Sequence, residues 1–183
     1  GKDTFDVRKD VYEPLLKKTY NFWKQIVNPE YYTDTDGNAR YEKGKCSLNE
    51  SEHYLIIPSF SPENKPFGYH SAITANAAMD ISAAKDVINM YTEMLNYTKV
   101  DGYEQAVSEA EALLRMLPDF MYDESGAVKE WSMKEYGENN AHRHISHLYP
   151  AWPALQTQHD SKLASACRQA IINRNHENKG KDD

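Results

Sequence analysis

Cysteine is scarce in this chain of 183 residues, with only Cys46 and Cys167, far apart. Cys167 falls on an apolar helical face, which suits a small buried hydrophobe better than a disulfide partner. Long apolar runs are missing too. None approaches the ~20 residues that a membrane span needs, so no membrane partner is expected. Positive charge is in deficit: 21 Lys and Arg stand against 28 Asp and Glu, for a formal net charge of −7. That balance argues against a nucleic-acid partner, whose backbone would favour clustered Lys and Arg. No secretory signal is legible, and the chain opens on "GKDTFDV" without Met, so the residues leave localisation open. What is present is 40% hydrophobic and 11% aromatic residues, 13 of them Tyr. Such a chain can bury a core of useful size. An acidic surface rich in Tyr and Trp suits a neutral polar ligand, such as a carbohydrate.

Periodicity gives a succession of helices. In "DVYEPLLKKTYNFWKQIV", Val11, Leu15, Phe22 and Ile26 form an apolar stripe, with Pro14 in the first turn where proline is tolerated. The next stretch, "NPEYYTDTDGNARYEKGKC", reads as a turn-rich excursion with Asp36-Gly37-Asn38 at its tip. Its resemblance to a calcium loop fails on glycine and glutamate spacing. "HYLIIPSF" reads as a short extended segment, followed by the proline-bounded loop "SPENKPFG" that carries Glu63. Ile81, Ala84, Ile88, Tyr91 and Leu95 share one face of a long helix. A partner helix follows, with Asp101 as its candidate cap and Val107, Ala110, Leu114 and Leu117 inward. The two predict an antiparallel hairpin. A last helix covers "DSKLASACRQAIINRN" and runs into a polar tail.

The loops between these helices are long, and long loops in a compact domain carry function or disorder. Here they hold the unusual residues. "ENNAHRHISHLYPAWP", Glu138 to Pro153, places His142, His144 and His147 within six residues, with Arg143 between two of them. Rings with polar nitrogens are costly to bury unpaired. As zinc ligands these histidines lack a local Cys or Asp, so Glu138 would have to serve, and no His-Glu-x-x-His is present, so no metal is expected. Helix capping and backbone hydrogen bonding remain the plain alternative for any one of them. Glu63 sits in a stiff loop, where partial burial would raise its pKa toward that of a general acid. The sequons at Asn49 and Asn96 read as chance.

Four segments carry a resemblance, in order: "IIPSFSPEN", a helix opening "AMDISAAKDVINMY", "VKEW" and "HRHISHLYPAWP". Together they resemble glycoside hydrolase family 95, the inverting α-L-fucosidases and α-L-galactosidases. The His-Arg-His-x-Ser-His-Leu run is long and specific, whereas Ala78-Met79-Asp80 matches the family's Thr-Met-Asp only loosely. The resemblance implies an all-α chain, a partial (α/α)6 toroid of helical hairpins with long functional loops. Residues 1–183 would be a fragment of that catalytic domain.

It also implies that Glu63 is the general acid and that Arg143 and His144 contact the sugar, with His142 and Trp131 as neighbours of the same site. The substrate would be a fucosylated or galactosylated glycan, with no cofactor. The family's base is an asparagine pair on an Asn-x-Asn motif upstream of the acid loop, and nothing like it precedes Glu63. The supporting aspartate is expected near or beyond the chain's end, where Asp182 and Asp183 stand. The family implies a secreted or periplasmic protein. A cut ring exposes apolar helical flanks, so self-association and an inactive isolated chain are expected. The rival is a non-catalytic helical carbohydrate-binding or interaction module.

Overall fold

The computed structural model describes residues 4–178, so Asp182 and Asp183 lie outside the described residues. A turn of π-helix at Arg8–Tyr12 runs directly into α1 (Glu13–Ile26), with Pro14 in the first turn. A three-stranded antiparallel sheet follows, in the order β2-β1-β3, from β1 (Tyr31–Thr33), β2 (Ala39–Tyr41) and β3 (His53–Tyr54). A two-stranded ribbon pairs β4 (Ser59–Phe60) with β5 (Ile73–Thr74). Then come α2 (Ala78–Thr98) and α3 (Tyr103–Met116), and after a long irregular stretch α4 (Ser161–Glu177).

The principal core lies between α1, α2 and α3. Ile81, Ala84, Ile88, Tyr91 and Leu95 of α2 are all buried in it, as their spacing predicts. Ala110 of α3 and Leu117 just beyond it are buried there too, and Val107 and Leu114 pack against them. The ring of Tyr20 in α1 stacks on Tyr91 with centroids 4.9 Å apart. A second core under α4 gathers Leu163, Ala166, Cys167 and Ala170 against Ala127, Val128 and Leu148.

Three expectations need correction. First, the chain is not all-α: two small sheets accompany the helices. The Asp36-Gly37-Asn38 tip is there, with Gly37 at φ 75° and Asp34 accepting from the amides of Asp36 and Asn38. It closes a hairpin in which Tyr31 opposes Tyr41. Second, α1 buries a different stripe. Leu16, Tyr20, Trp23 and Val27 face the core, while Val11, Leu15 and Phe22 are 42%, 57% and 54% exposed. Both stripes have helical spacing, and the one bearing the larger rings is buried. Only Ile26 of the expected stripe packs against the core. Third, Asp101 does not cap α3: the cap position is Gly102, in the left-handed region at φ 77°.

What this frame does for the Glu63 loop is hold its two ends together. Ser59 pairs with Thr74, so the chain leaves the ribbon at β4, makes the Glu63 excursion and returns at β5. Asp80, in the first turn of α2, accepts from the Ser59 hydroxyl at 2.6 Å and the Phe60 amide at 3.2 Å. Burial pushes the Asp80 pKa up. The amide of Ala78 donates to the Glu130 carbonyl at 2.9 Å, which ties the start of α2 to the Glu130-Trp131 segment.

Candidate active site

Glu63 and Arg143 stand 80 residues apart in sequence and meet in the structure. Glu63 Oε2 accepts from Arg143 Nη2, and His144 Nε2 lies 3.2 Å from the same oxygen. All three side chains face solvent, that of Glu63 being 60% exposed. The cluster is therefore open, one edge of a site rather than a closed cavity.

Its electrostatics differ from the burial-raised acid that the loop suggested. The hydrogen bond from His144, followed by the Arg143 charge, lowers the Glu63 pKa. In this arrangement Glu63 is a carboxylate at neutral pH.

His142 and Trp131 sit differently. The His142 ring meets His144 edge-on at 5.3 Å, and its Nε2 is buried with no hydrogen-bond partner among the described residues. Burial lowers its pKa, so it stays neutral. Trp131 is fully buried, its indole edge-on to Tyr136 and its backbone bridged to Ala77. It lies beneath the site and offers no surface to a ligand in this arrangement. His147 is also interior, only 1% exposed, with Nδ1 3.3 Å from Arg174 Nη2. Burial depresses its pKa to about 4, so the neutral ring accepts from the guanidinium. Of the three clustered histidines, then, His144 alone touches Glu63. No group of three potential metal ligands occurs among the described residues.

The two loops that bring these side chains together are stitched along their length. Asn64 and Asn139 exchange amide bonds: Asn64 Nδ2 donates to the Asn139 carbonyl and Asn139 Nδ2 to Asn64 Oδ1, at 3.1 and 3.0 Å. The Phe67 amide donates to the Gly137 carbonyl at 3.0 Å. The Ser146 hydroxyl donates to the Pro62 carbonyl at 3.3 Å.

Three charged residues beneath them were not assigned to the sugar site from sequence. Glu130 and Arg174 form a buried ion pair at 2.7 Å. Arg174 had a visible signal, because it continues the buried stripe of α4 through Leu163, Ala166, Cys167 and Ala170. A charge on such a stripe is rare unless paired. Glu138 is the third. One of its oxygens accepts from the Glu130 amide at 2.9 Å, and the other is buried with no partner among the described residues. Burial raises its pKa to about 7. No spacing rule marks it.

Comparison with known proteins bears on the same segments. Residues 5–182 match the Glycosyl hydrolase family 95 catalytic domain. The chain is also similar to Alpha-L-fucosidase 2 of Arabidopsis thaliana, 25% identical over 169 residues. That match covers 88% of this chain and 20% of the relative, so the chain spans about a fifth of that protein's length.

Proposed function

Because the chain belongs to glycosyl hydrolase family 95, as a stretch of its catalytic domain, we propose that it carries the acid side of an α-L-fucosidase-like pocket. The reaction is inverting hydrolysis of terminal α-L-fucosyl or related residues. One observation carries the reading: Glu63, Arg143 and His144, which the family pattern assigns to acid and sugar binding, converge on one exposed edge. Helical hairpins of a partial toroid hold that edge, and the rest of the ring lies in the remainder of the catalytic domain. The same family reading makes the protein secreted or periplasmic.

Glu63 protonates the glycosidic oxygen as its bond to the anomeric carbon breaks. A base on the opposite face takes a proton from the attacking water, at a separation of about 6.5–9.5 Å from the acid. That base is the asparagine pair supplied by the rest of the domain. Glu63 must be protonated when the glycosidic oxygen arrives. Sugar hydroxyls compete for Arg143 and His144, and a filled pocket removes water from the carboxyl. Both changes raise its pKa from the lowered value of the open cluster.

Arg143→Ala and His144→Ala test the pocket. Each should weaken binding of a fucose-like inhibitor by about 1.5–3 kcal/mol, the worth of a hydrogen bond to a charged group. Isothermal titration on a protein carrying the whole catalytic domain reads this directly, and unchanged affinity with the fold intact removes the residue from the site. The ionised Glu63 also favours a second reading, a carbohydrate-binding module without chemistry. Such a module would bind the inhibitor and show no turnover even with the whole domain present.

The exposed stripe of α1 makes a further expectation concrete. Val11, Leu15 and Phe22 face solvent, and Leu15 continues into a groove with Met90, Met94 and Tyr97. In the whole ring a neighbouring hairpin covers this flank. The chain alone covers it with a second copy. Light scattering should show association, and an aryl α-L-fucoside should remain unhydrolysed. A stable, active monomer would overturn the partial-ring reading.

A further inference from the structure

Glu130 is wholly buried, yet every direction of its carboxylate leads to the site. Its Oε1 accepts from the Ser61 hydroxyl at 2.6 Å. Its Oε2 accepts from Asn64 Nδ2 and from Arg174 Nη2, each at 2.7 Å. Ser61 and Asn64 bracket Glu63 in sequence. Arg174, on α4, works on the other wall. Its Nη1 lies 3.1 Å from the Asn139 carbonyl and 3.3 Å from that of His142, the residue before Arg143. Asn178, at the end of α4, donates to the same His142 carbonyl at 2.9 Å.

We infer that Glu130 and Arg174 are positioning residues for the Glu63 cluster, one buried ion pair that sets the acid loop and the Arg143-His144 segment at a fixed separation. Stability alone gives no reason for such a pair, because buried ion pairs can often be replaced by apolar residues without loss. Apolar packing could not reproduce the directional bonds that reach both loops at once. Placement matters here, since errors of about 1 Å at a reacting group can cost a hundredfold in rate. The catalytic meaning of the pair rests on reading Glu63 as the acid. The positioning itself does not.

The experiment is a carbon-13 NMR titration of the Glu63 carboxyl in the 183-residue chain, in Glu130→Gln and in Ser61→Ala. The charged and titratable groups facing Glu63 are Arg143 and His144, with His142 behind the His144 ring. If the pair sets their distance, loosening it weakens both contacts and the Glu63 midpoint rises. It should reach the ordinary glutamate range in Glu130→Gln and move part of the way in Ser61→Ala. Direct electrostatics has the opposite sign: removing the Glu130 charge favours ionisation of a neighbouring carboxyl and lowers its midpoint. A rise therefore reports geometry. An unchanged or lowered midpoint in the folded variants overturns the inference. Should Glu130→Gln not fold, Ser61→Ala decides alone, since it removes one hydroxyl and strands no charge. Failure of the fucosidase reading would appear in turnover and leave this titration as it is.

Discussion

Replacing Glu63 by Gln in a protein that carries the whole catalytic domain is expected to slow hydrolysis of a natural α-L-fucosyl linkage by about 10²–10⁴-fold, the usual contribution of a positioned acid. The loss should be much smaller on an aryl fucoside with an acidic phenol as leaving group. Such a leaving group departs as a stabilised anion and needs little proton donation. Gln keeps the size of the side chain and can still accept from Arg143 and His144 through its carbonyl, so binding should change far less than turnover. Comparing kcat on the two substrates gives the answer. Equal, small losses on both would make Glu63 a bystander, and the acid would then have to be sought elsewhere. A carboxyl already held near neutrality exists close by, at Glu138.

Glu138→Gln is expected to change the pH dependence of stability strongly. Burial raises the Glu138 pKa from 4.5 to about 7. Between those values the unfolded chain has released this proton and the folded chain retains it. Stability therefore falls as pH rises from about 4.5 to about 7, and the loss is complete above that. The whole displacement is worth roughly 3 kcal/mol. Gln mimics the protonated acid and can still accept from the Glu130 amide, so the variant should gain up to about that amount over the parent at pH 8 and little at pH 4.5.

His147 slopes the other way. Its pKa is depressed from 6.5 to about 4, so the stability of its neutral ring is present above 6.5 and lost as pH falls toward 4. The parent's own curve mixes the two, and the difference between variant and parent isolates Glu138. Urea unfolding of both proteins at pH 5 and pH 8 measures it. Curves that run parallel at both values would show that Glu138 titrates normally.

How much of this could be read from sequence depended on how many residues carried each signal. Helix α2 offered five apolar positions on one face, and all five are buried. Helix α1 offered two stripes, and periodicity cannot rank two stripes of the same period. The partner does so, through the Tyr20 and Tyr91 stack. The strands have two or three residues each, too few for an alternation to show. At the site, a motif brought forward Glu63, Arg143 and His144, while their mutual contact and the lowered Glu63 pKa required coordinates. Trp131 attracted notice as an aromatic in a family segment, although its neighbour Glu130 makes the polar contacts beneath the cluster. Both side chains are fully buried, and what separates them is hydrogen bonding, set for Glu130 by residues more than 40 positions away.

The twelve-residue span that the ribbon closes around Glu63 falls into two unequal parts. From Ser61 to Phe67 the chain is clasped to residues 130–139 by side-chain and backbone bonds. From Gly68 to Ser71 it is exposed, and β5 then recovers the frame. Insertions in that outer arc meet fixed anchors on both sides. The closure entropy of a flexible loop grows only with the logarithm of its length, about 0.6 kcal/mol for a doubling. The arc can therefore lengthen or change composition between related proteins while Glu63 stays where it is.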